Sequence, residues 1–136
     1  MAEFVAKDYS LVINAVDLSA HVQSFSLPIA ADAVESTAMG DSDREFLPGL
    51  KNWSATLTMR NDFAASQVDA TLQPLIGAAA FAVVFKPTSG AVSATNPSYS
   101  GNAIITSYDP FNASVGDLAT TAPTLQGTGA LTRATS

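Results

Sequence analysis

The first clear pattern in the chain is an alternation. From Trp53 the residues Trp53, Ala55, Leu57 and Met59 fall on one side and Ser54, Thr56, Thr58 and Arg60 on the other. That period of two predicts a half-buried strand. Upstream, Ser10 to Asn14 and Val16 to Leu27 read as two strands turning at Asn14-Ala15, with Leu18, Val22 and Phe25 directed inward. Pro28 ends that run, and Asp32 to Ala38 reads as a short polar strand anchored by Val34 and Thr37.

Between these strands the pattern stops. From Gly40 to Asn52 neither a period of two nor one of 3.6 survives, because Gly40, Pro48 and Gly49 punctuate a run crowded with charges. The segment is predicted as a long loop, and loops of that length are usually functional or disordered. Its bulky apolar residues, Phe46, Leu47, Leu50 and Trp53, argue against plain disorder, while Asp41, Asp43, Arg44, Glu45 and Lys51 keep it soluble. Composition leaves two outcomes open: docking on a partner, or folding back on its own domain as a lid.

A helix is expected from Ser66, with Ser66 as N-cap and Asp69 three residues on. Val68, Leu72, Leu75 and Ile76 share one face, Pro74 lies near the end and Gly77 closes it. Ala79 to Phe85 is a nearly continuous apolar strand that should be covered on both faces. Thr88 to Pro97 is turn-rich, Tyr99 to Tyr108 and Leu118 to Gln126 read as strands, and residues 127–136 form a small polar tail. About seven strands with turn signals at this spacing predict a mainly β fold, an antiparallel sandwich or barrel with one flanking α-helix.

Composition changes the picture at one point. Charged residues are 13% of the 136, against about 25% in ordinary soluble domains, so the surface is short of charge, and either Ser, Thr, Asn and Gln cover it or much of it is buried against neighbours. The net charge of −6 and only six scattered basic residues argue against a nucleic-acid clamp. With no cysteine, disulfides and thiolate chemistry are excluded. Residues 1–9 lack a basic-then-apolar signal pattern and no run approaches a membrane span, so a single unprocessed cytosolic domain, 1–136, is expected.

Candidate chemistry is thin. Gly40-Asp41-Ser42 has the opening of a serine-esterase motif, but His21, the one histidine, lies in a different part of the pattern with no acid set to orient it. Asp41, Asp43 and Glu45 alternate as calcium ligands can, without that loop's glycine and terminal acid. Trp53 reads as core before ligand platform. No catalytic residue, metal or cofactor is assigned.

Four stretches together resemble the major tail tube proteins of long-tailed bacteriophages: REFLPGLKNWSATL (44–57), VDATLQPLIG (68–77), NPSYSGNAIITSYDP (96–110) and VGDLATTAPTLQGTGALTRAT (115–135). The resemblance implies a β-sandwich with a flanking helix, six copies closing into a ring, and rings stacking into a hollow tube through which DNA passes without specific binding. It implies kinship with the tube protein of type VI secretion systems, a place in the virion tail, assembly in the host cytoplasm, and tape measure, tail tip and terminator proteins as partners, with no membrane. It places subunit contacts in the 40–52 loop, at Asp41, Asp43, Arg44, Glu45, Phe46, Leu47, Pro48, Leu50 and Lys51, in the N-terminal arm 1–9, and in the tail 127–136 at Leu131 and Arg133. The immunoglobulin-like domain of some members is not expected here. An acidic balance suits a DNA conduit, since like charge keeps phosphate from sticking. A monomeric β-sandwich binding module, with Trp53 and Tyr99 as platforms for a sugar or peptide, is the competing reading.

Overall fold

The computed structural model describes Glu3 and residues 5–136; Phe4 of the expected arm lies outside the described residues. Among the described residues nine strands form one antiparallel sheet, as the mainly β reading expected, with a single short α-helix beside it. They are β1 (Ser10–Ile13), β2 (Val16–Asp17), β3 (Val22–Ser26), β4 (Ile29–Glu35), β5 (Phe46–Arg60), β6 (Phe81–Lys86), β7 (Ser98–Ser107), β8 (Thr120–Thr121) and β9 (Thr124–Ala134). The order is β2-β1-β6-β7-β9-β5-β3, with β4 and β8 also paired to β5. The sheet curls until β3 lies over β6, where Phe25 and Phe85 bring their ring centroids within 5.3 Å, but it does not close.

The core fills the concave face. Leu11, Ile13, Trp53, Ala55, Leu57, Met59, Phe81, Val83, Phe85, Ala103, Ile105 and Leu125 are buried there, and Val68 and Leu72 of α1 (Val68–Leu72) cap it. The alternation from Trp53 to Met59 is thus a core alternation, as its pattern indicated. Trp53 is 3% exposed and cannot serve as a platform for a ligand. Its indole lies across two glycines: a Cβ on Gly127 would stand 2.2 Å from its ring and one on Gly101 2.9 Å. Its ring N–H donates to the Gly129 carbonyl at 3.3 Å.

Several expectations are corrected. The strand expected over 16–27 is broken after β2 by a turn of 3-10 helix (Ser19–His21), because the Ser19 hydroxyl accepts the Leu11 N–H and Asp17 accepts from Ser19, drawing the chain around a corner. The helix is capped at Gln67, not Ser66, whose φ of 62° is left-handed. It passes at Pro74 into 3-10 geometry (Gln73–Leu75), which leaves Ile76 outside the stripe and 47% exposed. The 79–85 strand is covered on one face only, Ala82 being exposed. The expected strand over 118–126 divides into β8 and β9 around Ala122-Pro123.

The largest corrections concern the two segments taken as irregular. Residues 46–52 are strand, the first half of the 15-residue β5, paired to β4 in register Val34↔Leu47, Glu35↔Phe46 and Ala31↔Lys51. The tail is strand as well. Residues through Ala134 continue β9 against β7, with Tyr99 opposite Arg133 and Ser98 opposite Ala134, and Leu131 packs on the core of its own chain. A chain ending at Gly129 would lose those pairings, so its isolated monomer should melt well below the full chain. An unchanged melting midpoint would show that these last residues contribute nothing to the subunit's own stability.

Tyr108 gives the fold a pH signature. Its hydroxyl donates to Asp69 Oδ1 at 2.8 Å, and burial, the hydrogen bond and the carboxylate charge all push its ionisation well above the ordinary phenol range. The extra stabilisation of the neutral phenol exists only in the folded chain, so this contribution is complete below about pH 10, where a free phenol ionises. It is lost as pH rises through the raised folded value. Tyr108→Phe should cost about 1 kcal/mol near neutrality, and its midpoint should approach the wild type's as pH climbs past 10 in a thermal-melt series. A gap that stays constant with pH would refute this linkage.

Candidate assembly interface

The nine contact residues expected between Asp41 and Lys51 gather on one hairpin, whereas Leu131 and Arg133 lie on β9. Before Trp53, β5 lies outside the curled sheet and pairs with β4 alone, so Ile29–Glu35 and residues 46–52, joined by the turn 36–45, make a two-stranded hairpin projecting from the body. Every residue of β4 is exposed, and so are those of β5 before Trp53 apart from the intermediate Gly49. A shift of register between Ala31 and Ala33 sets Asp32 against both Gly49 and Leu50, a β-bulge that twists the ribbon. A Cβ at Gly49 would fit tightly, 3.1 Å from both Asp32 Cβ and Val34 Cγ2, so a larger residue there would have to push those side chains aside by a few tenths of an ångström.

The turn is held by its own polar groups. Thr37 Oγ1 accepts the Glu45 N–H at 2.8 Å, the Ser36 N–H donates to the Glu45 carbonyl at 2.8 Å, and the Asp41 carboxylate accepts the Ala38 N–H at 2.7 Å. Gly40 turns the chain with φ of 94°. Thr37 therefore anchors the turn and not a core, and Val34, expected as an inward anchor, is 53% exposed. Asp41 is thus used as a turn ligand; Arg44 faces Glu35 at 4.0 Å in the open.

Apolar side chains on this ribbon stand half or more exposed. Phe46 is 53% exposed, Leu47 59%, Leu50 82% and Met39 fully exposed. The lid alternative is therefore corrected: the segment does not fold back on its domain. Pro48 and Lys51 are exposed beside them, and Arg133 is exposed at the adjoining end of β9. A two-stranded ribbon of this kind is marginal in water by itself.

The catalytic alternatives do not assemble. Ser42 is in the hairpin turn, whereas His21 precedes β3, whose Val22 pairs with Met59 at the far end of β5. His21 shares its ring nitrogen with Gln67 Oε1 at 2.7 Å and lies 3.8 Å from Asp62, tying the 3-10 turn to the start of α1. Among the described residues no three of His, Asp or Glu group as a metal site, and no helix is long and apolar enough to cross a membrane.

The architecture is that of chains in tail-like assemblies. The protein superposes on a chain of the virion of a native gene transfer agent particle with TM-score 0.78 and 18% identity, over 96% of this chain and 98% of that one. It superposes on a chain of the extended sheath-tube complex of PVC, an extracellular contractile injection system, with TM-score 0.71 and 15% identity, over 98% and 93%. A chain of the anti-feeding prophage tube-terminating cap gives TM-score 0.68 and 17% identity over 100% and 98%. No protein-family model matches the sequence, and no curated protein does. At these identities the comparisons establish a shared fold, and they establish it over the whole length of the chain.

Proposed function

We propose that the protein is a structural, non-enzymatic subunit of a phage-type tail tube, in which six copies close into a ring and rings stack into a hollow conduit for DNA. The observation that carries this is the β4–β5 hairpin, a projecting ribbon whose apolar side chains stand half or more exposed. Such a ribbon is stabilised when neighbouring copies cover it, as obligate contacts are large and apolar. The low charge content fits a surface that is largely buried in an assembly. The full-length likeness to chains of a gene transfer agent virion and of a contractile sheath-tube complex supports a tail component, and a related comparison is to a gene transfer agent tail solved with C6 symmetry. Asp41, Asp43, Arg44, Glu45, Phe46, Leu47, Pro48, Leu50 and Lys51 lie in the contact, with Arg133 and Leu131 at its edge. Tape measure, tip and terminator proteins are the expected neighbours, DNA passes without specific binding along a wall in which acid outnumbers base, and the assembled place is the virion tail.

Light scattering over a concentration series tests this reading. Rings or polymers growing from a 14.0 kDa chain are expected. A single 14.0 kDa species at every concentration would instead favour the monomeric binding module.

A further inference from the structure

Where the sheet curls without closing, its two margins leave a recess. Tyr9, Phe25, Leu27, Phe85, Pro87 and Tyr99 line it, its wall is apolar, and its volume is about 120 Å³. Tyr9 and Phe25 meet at a centroid distance of 4.8 Å, Phe25 and Phe85 at 5.3 Å, so aromatic rings and not backbone pairing bridge the seam. Small-molecule sites run to roughly 300–1,000 Å³. This one has room for a single long apolar side chain.

The hairpin turn supplies such a side chain. Met39 stands fully exposed at the turn, unbranched and adaptable in shape. Between Glu35 and Glu45 the turn carries four acids (Glu35, Asp41, Asp43, Glu45) and one base (Arg44), a net charge of −3. Lys86, whose ammonium donates to the Gly90 carbonyl, forms part of the recess wall and Arg133 lies opposite Tyr99 in the ladder, while Lys7, Asp8 and Asp17 line the adjoining hollow that shares Tyr9. Asp8 is engaged by Ser89 and Asp17 by Ser19. The turn of the same chain does not reach. The seven residues of β4 carry it about 23 Å outward from Pro28 at 3.3 Å per residue, and folding back would break the β4–β5 ladder. The other exposed apolar loop, with Phe111, Val115 and Leu118, is tied down at Asn61–Pro110, Asn61–Ala119 and Thr121–Asp109 and carries the acids Asp109 and Asp117 without a base.

We infer that this recess is a socket for the hairpin turn of a second copy of the chain, with Met39 seated among Tyr9, Phe25, Phe85 and Tyr99 and the acidic turn beside Lys86. The inference rests on the assembly reading and names the receiving surface within it. Contacts of this kind are heterologous, since the turn and the socket are different surfaces, and repetition about an axis closes them into a ring.

The chain has no cysteine, so single thiols can report the contact. Met39→Cys and Pro87→Cys chains, prepared separately, mixed, assembled and air-oxidised, should yield a disulfide-linked dimer containing one of each, because seating brings the two Cα atoms within bonding range of about 7 Å. Lys86→Cys serves as a second probe of the rim should Pro87→Cys disturb the end of β6. Neither variant alone should form the dimer. Tubes visible by electron microscopy without the mixed dimer would overturn the socket while leaving the assembly reading standing. Linkage of Pro87→Cys to Val115→Cys in place of Met39→Cys would also overturn it, by naming the 109–119 loop as occupant. Failure of the unmodified chain to assemble in the same buffer would remove both readings together.

Discussion

Replacing Phe46 and Leu50 together with serine should abolish ring or tube formation and leave the isolated subunit folded. Both side chains are exposed on the hairpin, 53% and 82%, so removing them takes little from the monomer, within about 0.5 kcal/mol for each surface position. Buried by a neighbour they would contribute up to roughly 1.5–3 kcal/mol each, and a closed ring repeats the loss at every subunit boundary. The association constant of one contact should therefore fall by up to about a hundredfold even at the lower figure, since 1.4 kcal/mol is a factor of ten. The paired measurements are the thermal midpoint of the dilute monomer and the polymer yield at high concentration. A large fall in the monomer midpoint would show that these residues support the subunit itself and would refute the docking role.

The second large effect lies inside the subunit. Gly127→Ala should destabilise the fold by about 1–3 kcal/mol or more, because the new methyl would stand 2.2 Å from Trp53 Cε2 and 2.3 Å from Cδ2. Either the indole leaves its place, losing its bond to the Gly129 carbonyl, or β9 moves off β5. At roughly 3–5 °C per kcal/mol for a domain of this size, the midpoint should drop by up to about 15 °C. Trp53→Ala should cost about 3–5 kcal/mol by leaving a cavity in the same place. The diagnostic case is the pair: Gly127→Ala in a Trp53→Leu background should cost much less than in the native one, since the methyl then has room. Equal costs in both backgrounds, read from chemical denaturation, would mean that the indole does not set the requirement for glycine.

These two sites also mark how far the sequence carried. The strand from Trp53 to Met59 was legible because one face meets a core and the other meets water, so its side chains alternate. Phe46 to Asn52 belong to the same strand but have no core on either face, and the bulge at Gly49-Leu50 shifts the phase midway. No period remains to be read. Pro48 and Gly49, ordinary signs of a turn, are tolerated because β5 is paired there to a single exposed edge strand. In β9 the misleading residues were Gly127 and Gly129: they signal a flexible tail, yet Gly127 makes room for the Trp53 ring, a residue distant in sequence, and Gly129 takes a left-handed φ of 83°.

The chemical content of the candidate interface was legible where its geometry was not. Apolar residues among charges at 40–52 pointed to a surface that a partner could cover, and the structure places Phe46, Leu47 and Leu50 exposed on one projecting ribbon. The recess at Tyr9, Phe25, Phe85 and Tyr99 had no signature in the sequence, because its walls come from four separate segments joined only by the curl of the sheet. The alternation through β6 and the inward placement of Phe25 were the signals that could have brought part of it together.

Electron microscopy of the purified chain at high concentration tests the central claim most directly. The account expects hollow tubes built of six-fold rings, with each β4–β5 hairpin lying on an adjacent subunit and an open lumen along the axis. Assemblies without a lumen, or dispersed single subunits under conditions where the concentrated chain is soluble and folded, would contradict it.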